Sequence, residues 1–178
     1  MVYLYHYFEK EAGPFANLSE LSLDDEQKIQ DKLKREGKVF AAQRNAEYLS
    51  RRRYLEQLVR KLFMEKGGRP IRQTPYYMVV GECPWLETWY QAGRHVKIPI
   101  REFDLKTISF TYGDMFPTFS PKVTDDLEFR RTVYTYDEIL NIIDKYGLPQ
   151  NTWRQSVFAQ PAYVEVQVWS DEPIAHYR

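Results

Sequence analysis

Three short stretches, far apart in the chain, each end in a side chain of the kind that binds or acts on substrates. Residues 3–6 end in a histidine, residues 109–112 end in a tyrosine, and residues 163–165 end in a glutamate. Each stretch is rich in residues that favour β-strands, so we expect strands to position all three groups. An imidazole, a phenol and a carboxyl group form one site only if those strands are neighbours in space.

The motifs of the common enzyme and metal sites are absent from the sequence. It contains no phosphate-binding glycine loop, no His-Glu-x-x-His pair, no nucleophile elbow and no calcium loop. His6, His95 and His176 lack the spacing of a metal-binding pair. The single cysteine, Cys83, excludes an intramolecular disulfide and a zinc site of several thiolates. We therefore predict no metal.

Two further residues have a reactive interpretation and a structural one. Cys83 precedes a short predicted helix, whose dipole would lower the pKa of its thiol, but no base is evident nearby in sequence. A small buried residue is the favoured interpretation. Asp114 follows Gly113 in a turn after a predicted strand, and a carboxylate there more often binds the turn backbone than titrates in catalysis.

Length and charge restrict the classes of protein and partner. A chain of 178 residues with no long polar linker is predicted to form a single domain, residues 1–178. Lys and Arg total 25 and Asp and Glu total 25, so no overall field attracts nucleic acid or an anionic membrane. No segment has the pattern of a leader or the length of a membrane span, and we expect a cytoplasmic protein.

Residues 40–66 form the longest segment with helical periodicity. The apolar stripe follows the i, i+3, i+4, i+7 rule and consists of Leu55, Leu58, Val59, Leu62 and Phe63. Most of the arginines lie off this stripe, so we expect a basic helix face. The pattern favours a solvated surface, and a contact with phosphates is the alternative. Residues 22–37 are predicted to form a preceding surface helix.

The remaining pattern predicts several strands and one well-capped helix. Residues 76–80 read as a central strand, 107–112 as a buried strand, and 162–169 as a strand with valines on one side and Glu165 on the other. Residues 135–138 form a capping box that begins a helix. The expected fold is a single-domain α+β structure, a bent mixed or antiparallel sheet with one long helix and two or three shorter helices packed on it.

The order His6, Tyr112, Glu165 resembles the His, Tyr, Glu pattern of ADP-ribosyltransferase-like proteins. The resemblance implies a split, bent sheet that holds NAD in a cleft. It implies that His6 donates to the nicotinamide-side ribose and that Tyr112 stacks on the nicotinamide ring. Glu165 would hold a ribose hydroxyl and stabilise the oxocarbenium-like transition state. The predicted catalytic residues are thus His6, Tyr112 and Glu165, and Phe110 joins His6 and Tyr112 as a cofactor-binding residue.

Two functions from different classes are compatible with this sequence. The first is a small NAD-dependent ADP-ribosyltransferase-like enzyme of bacterial type, or a degenerate relative. The alternative is a non-catalytic module that binds protein or nucleic acid through an aromatic cleft or through the basic face of the 40–66 helix, which carries residues 51–53. The enzyme requires His6, Tyr112 and Glu165 to line one pocket, whereas the module requires only exposed aromatic rings or arginines.

Overall fold

A computed structural model describes residues 1–22, 24, 25, 28, 29, 31, 48–152 and 161–178. Its centre is a five-stranded sheet in the order β3-β1-β2-β5-β4, in which every pair of neighbours is antiparallel. The strands are β1 (Tyr3–Glu9), β2 (Tyr76–Val80), β3 (Gly93–Pro99), β4 (Ile108–Tyr112) and β5 (Val164–Val168). With the helices described next, this sheet confirms the predicted α+β fold.

Helices cover both sides of the sheet. They are α1 (Tyr48–Glu65), α2 (Met115–Thr118), α3 (Tyr136–Tyr146) and α4 (Pro149–Thr152), and a 3₁₀ helix spans Pro84–Trp89. Most of the helix predicted at 22–37, and the first part of the helix predicted at 40–66, lie outside the described residues. No helix in the described part of the chain is both long enough and apolar enough to cross a membrane.

The register of the strands divides the sheet into two faces with different chemistry. Glu165 of β5 lies opposite Val79 of β2 and Thr111 of β4, and Val166 lies opposite Phe110. Directly opposed residues point to the same side of a sheet, and consecutive residues point to opposite sides. We call the side of Phe110 and Val166 the apolar face and the side of Thr111 and Glu165 the polar face.

The apolar face holds the main hydrophobic core, which α3 covers. Ile139 and Ile142 of α3 are buried against the three valines of β5 and the alternating residues of the other strands. The predicted capping box is present, and Gly147 ends the helix with a φ of 79°. Leu140, which was expected inside, is 37 % exposed. The buried stripe runs through 139, 142 and 143, and the residue next to Ile139 points about 100° away from it.

Helix α1 packs on the polar face through the stripe that the sequence predicts. Leu55, Val59 and Phe63 are buried against Trp169, while Leu58 and Leu62 are partly buried beside them. Near β1 and β3 the same face is covered by the 3₁₀ helix Pro84–Trp89 and by aromatic side chains of β1. The polar side chains at the middle of the sheet are therefore enclosed between two apolar clusters.

Candidate functional site

His6 lies on the apolar face, with both ring nitrogens engaged in the fold. The backbone N–H of Phe15 donates to Nε2 at 2.9 Å, so Nδ1 carries the proton and donates to the Tyr77 carbonyl at 2.8 Å. The imidazole also stacks on the Phe15 ring, with a centroid distance of 4.1 Å. Burial lowers the pKa of His6 from 6.5 to about 4. A neutral ring with two protein partners has no nitrogen left for a ribose.

Tyr112 and Phe110 belong to the same apolar core. Tyr112 donates its hydroxyl proton to the Gly147 carbonyl at 2.9 Å, and its ring contacts Phe129 with a centroid distance of 5.0 Å. Burial raises the pKa of Tyr112 to about 12. Phe110 is fully buried. Neither ring presents a face on which a nicotinamide can stack.

The structure does not bring Glu165 together with His6, Tyr112 and Phe110. Tyr112 lies opposite Val164, which immediately precedes Glu165, so the phenol and the carboxyl group leave β4 and β5 on opposite sides. His6 likewise follows Tyr5, which shares the side of Glu165 through Val79. The sequence led us to expect one pocket lined by all of these residues. That expectation is corrected, because the backbone of the sheet separates Glu165 from His6, Tyr112 and Phe110.

Glu165 instead lies close to a second carboxylate, that of Asp114. Burial, followed by the negative charge of Asp114, raises the pKa of Glu165 well above its ordinary value. Asp114 lies in the turn between β4 and α2, where it caps α2 by accepting a hydrogen bond from Phe116 N–H at 2.7 Å. Its other oxygen accepts from the Tyr163 hydroxyl at 3.1 Å. The turn role predicted for Asp114 is confirmed. The sequence did not predict that Asp114 lies near Glu165.

Hydrogen-bond donors support the Glu165 carboxyl group from within the sheet. Gln167 Nε2 donates to Glu165 Oε1 at 3.0 Å, and the backbone amide of Met115 also favours the charged form of the acid. Because the pKa of Glu165 is nevertheless raised, burial and the charge of Asp114 outweigh these donors. A buried carboxyl group with a raised pKa near a second carboxyl group is a common arrangement for acid–base chemistry.

An arginine, a glutamate and a tyrosine lie beside this pair on the polar face. Arg52 Nε donates to Glu56 Oε1 at 3.0 Å, and Tyr77 donates its hydroxyl proton to the same oxygen at 2.7 Å. The guanidinium group lies 4.8 Å from the centre of the Tyr77 ring. The positive charge of Arg52 acts to lower the pKa of Glu165, although it is the weakest of the named influences. The cluster thus offers a cation and a partly exposed aromatic ring.

The basic face predicted for the long helix is mostly used inside the chain. The Arg52 side chain is only 11 % exposed. Arg53 donates to the Leu21 carbonyl at 2.9 Å, and Arg60 donates to the carbonyls of Arg72 and Pro70. Arginines held by buried partners and by carbonyl groups are not available to phosphates, so the expectation of a largely solvated basic face is corrected.

Cys83 is buried, as the favoured interpretation predicted, whereas the neighbouring tryptophans are partly exposed. Burial raises the pKa of the Cys83 thiol, so the lowered value considered for a reactive cysteine is wrong. Within the short helix Pro84–Trp89, Leu86 is the buried residue. Trp85 and Trp89 are partly exposed and meet edge to face, with a centroid distance of 5.1 Å.

Sequence reasoning placed Glu165 on a face with Tyr163 and Gln167, and that part of the site is confirmed by the register of β5. It missed Arg52, which was assigned to solvent because its position lies off the apolar stripe. A burial signal was available in hindsight, since Glu56 follows four residues later and an i, i+4 ion pair can be enclosed as a unit. The approach of Asp114 to Glu165 had no local signal.

Comparisons with models of protein families, with curated proteins and with solved structures give no match. The described residues also contain no group of three or more His, Cys, Asp or Glu side chains that could hold a metal ion. The function is therefore inferred from the geometry of the polar face.

Proposed function

We propose that this protein is a small enzyme that transfers a glycosyl group, with Glu165 and Asp114 as its acid–base pair. The observation that carries the proposal is a buried Glu165 carboxyl group near Asp114: burial, and then the negative charge of Asp114, raise the pKa of Glu165 well above its ordinary value. Pairs of carboxyl groups with separated proton affinities are the usual machinery of glycosyl transfer. A cytoplasmic location, expected from the sequence, is part of the proposal.

The two carboxyl groups take different roles because their surroundings differ. Asp114 accepts hydrogen bonds on both oxygens, from Phe116 N–H and from the Tyr163 hydroxyl, an arrangement that suits a carboxylate. The negative charge of Asp114 stabilises the positive charge that develops at the reacting sugar carbon. Asp114 also accepts the proton of the attacking nucleophile. Glu165, when protonated, can donate a hydrogen bond to a substrate oxygen; because the residue is 7 % exposed, its surroundings have to open for the substrate to reach it.

NAD is the glycosyl donor that we propose to test, because the sequence resemblance suggests it; of the three residues of that resemblance only Glu165 keeps its role, since His6 and Tyr112 lie on the other side of the sheet. The bond between the ribose carbon and the nicotinamide nitrogen breaks, and nicotinamide leaves with the bonding electron pair. The nucleophile forms the new bond to that carbon and loses its proton to Asp114. Arg52 and Tyr77 are not assigned to the substrate, because Arg52 pairs with Glu56 and its guanidinium group lies 4.8 Å from the centre of the Tyr77 ring.

The proposal is tested by nicotinamide release from NAD, measured for the wild type, Glu165→Gln and Asp114→Asn. Each substitution keeps the shape of the side chain and removes one acid or base, so we expect turnover to fall by roughly 100-fold or more in each. NAD should raise the melting temperature of the wild type. Tyr112→Phe is the matched control, because it removes one hydroxyl group from the apolar face and should leave turnover per folded molecule unchanged.

Failure of the wild type to release nicotinamide, together with a melting temperature that does not respond to NAD, would contradict the enzyme proposal. That result would favour the second candidate, a module that binds a protein partner through aromatic rings. The partly exposed pair Trp85 and Trp89, on the outside of the cluster formed by Tyr5 and Tyr7, is the observation that favours this candidate. The basic helix face supports this candidate less than the sequence suggested, because Arg52, Arg53 and Arg60 bind within the chain while Arg51 remains exposed.

A further inference from the structure

A series of buried hydrogen bonds leads from Trp169, which packs against α1, to the Glu165 carboxyl group. The direction in which each bond is donated is fixed at both ends of the series. At one end, Trp169 Nε1–H can only donate, and Ser109 Oγ accepts from it at 2.9 Å. The proton of the Ser109 hydroxyl is then free to go to Gln167 Oε1, at 2.8 Å. Trp169, Ser109 and Gln167 are all fully buried, so no exchange with bulk water disturbs this order.

At the other end, the Thr111 hydroxyl donates to the Gly113 carbonyl at 2.8 Å. Thr111 Oγ1 has thereby used its single proton, so it can only accept from Gln167 Nε2, at 3.1 Å. Both ends of the chain therefore require the same orientation of the Gln167 amide. Its oxygen faces Ser109 and its NH₂ group faces Thr111 and Glu165.

We propose that Gln167 is the positioning residue for Glu165, and that its amide confines the acidic proton of Glu165 to Oε2. Glu165 Oε1 accepts the second N–H of Gln167 at 3.0 Å, so a proton on the same oxygen would face a donor. Oε2 is then the oxygen that carries the proton, although the backbone amide of Met115 also favours the charged carboxylate. The inference rests on the proposed function in one respect, since it makes Oε2 the atom from which that proton is donated to substrate.

The buried polar chain has no other evident use in the fold. Replacing it with apolar side chains of similar shape would remove four desolvated polar groups from between α1 and the sheet, and such replacements are often neutral or stabilising. A network in which every proton has one permitted direction is suited to holding a carboxyl group in one rotamer and one protonation pattern. Positioning Glu165 is thus the role that its geometry supports.

The test is a carbon-13 NMR titration of the Glu165 side-chain carboxyl group in the wild type, Gln167→Met and Ser109→Ala, assigned with Glu165→Gln. In Gln167→Met the ionised carboxylate loses a donor, so its titration should move to higher pH. Ser109→Ala removes the hydroxyl group that orients the Gln167 amide. The titration of Glu165 should therefore move to higher pH by a smaller amount than in Gln167→Met. Thr118→Val is the control, because Thr118 Oγ1 is buried without a partner among the described residues and takes no part in this series of hydrogen bonds.

The same variants are then assayed for nicotinamide release across pH. We expect kcat to fall about tenfold in Gln167→Met with little change in KM, and the alkaline limb of the pH profile, where protonated Glu165 is lost, to move with the NMR titration. An unchanged titration in folded Gln167→Met overturns the positioning role, and Ser109→Ala decides the matter if Gln167→Met does not fold. A moved titration in a protein without turnover refutes the proposed function and leaves the hydrogen-bonding role of Gln167 intact.

Discussion

The two faces of the sheet use the same strands for opposite purposes. On the apolar face, Phe110 and Val166 are fully buried among aliphatic and aromatic side chains, and His6 is held there as a neutral ring. On the polar face, Glu165 and Gln167 come from the same strand as Val166 and are also enclosed, yet they are charged or polar. A single strand, β5, thus supplies both the centre of the core and the centre of the candidate site.

This difference teaches that burial alone does not separate structural from functional residues here. Burial of an apolar side chain contributes stability, whereas burial of a carboxyl group beside another costs stability and is retained only where something is gained. The predicted site residues on the apolar face are explained by packing. On the polar face, Asp114 is explained in part as the cap of α2, whereas packing does not explain the buried Glu165 carboxyl group.

The largest effect is expected on the apolar face, from Phe110→Ala. Phe110 is fully buried and lies against the ring of Tyr136, with a centroid distance of 6.0 Å. Removal of a buried aromatic ring leaves a cavity, and we expect a loss of about 3 to 5 kcal/mol in the free energy of unfolding. Urea denaturation followed by circular dichroism measures it. Phe110→Leu is the conservative control, and a loss below about 1 kcal/mol in Phe110→Ala would show that Phe110 is not a core residue.

The next largest effect is the loss of stability at low pH that protonation of His6 causes. Its pKa is lowered from 6.5 in the unfolded chain to about 4 in the fold, so the unfolded chain binds the proton first. The contribution of the neutral ring is present above pH 6.5 and is lost as the pH falls through about 4. The full loss is on the order of 3 kcal/mol.

Urea denaturation at several pH values between 7 and 4 tests this expectation. His6→Gln should show a flatter dependence than the wild type over that interval, because the amide does not titrate. His176→Gln, at an exposed position, should follow the wild type. Parallel curves for His6→Gln and the wild type would contradict a buried neutral His6.

An effect of opposite sign is expected from Glu165→Gln on the polar face. The pKa of Glu165 is raised in the fold by burial and by Asp114, so its contribution to stability is complete below the ordinary value of 4.5. That contribution is lost as the pH rises through the folded pKa. The variant should therefore be more stable than the wild type at neutral pH, by about 1.4 kcal/mol for each pH unit of the raised pKa.

The gain should disappear at pH 4, where the wild-type carboxyl group is protonated in both states. Thermal unfolding at pH 4 and pH 7.5 measures the difference, with Glu11→Gln at an exposed position as the control. If Glu165→Gln destabilises the protein at pH 7.5 as much as at pH 4, the acid is an ordinary stabilising residue. A stabilised variant without turnover would instead be the pattern expected of a catalytic acid.

Much of the local structure followed from patterns that act over a few residues. The alternation of valines with Glu165 and Gln167 predicted a strand with two different sides, and the capping box at 135–138 predicted the start of α3. The apolar spacing at 55, 59 and 63 predicted the packed side of α1. Each of these signals depends on the period of a helix or strand, which the chain carries in its own sequence.

The candidate site was only partly predictable, because its members belong to separate elements. The sequence does not state whether His6 and Glu165 leave their strands on the same side, since that depends on the pairing of β1 with β2 and of β2 with β5. A shift of one residue in either pairing would exchange the two faces. Arg52 appeared solvated for a similar reason, because its burial depends on Tyr77 from another strand.

The sequence by itself determined the α+β class, the main strands and capped helix, and the two-sided character of β5. The tertiary structure alone decided that His6, Tyr112 and Phe110 stabilise the core while Glu165 meets Asp114 on the other side of the sheet. The physical reason is that periodicity fixes which side chains share a face within one element. The register between elements, set by packing and by hydrogen bonds across the whole sheet, fixes which faces coincide.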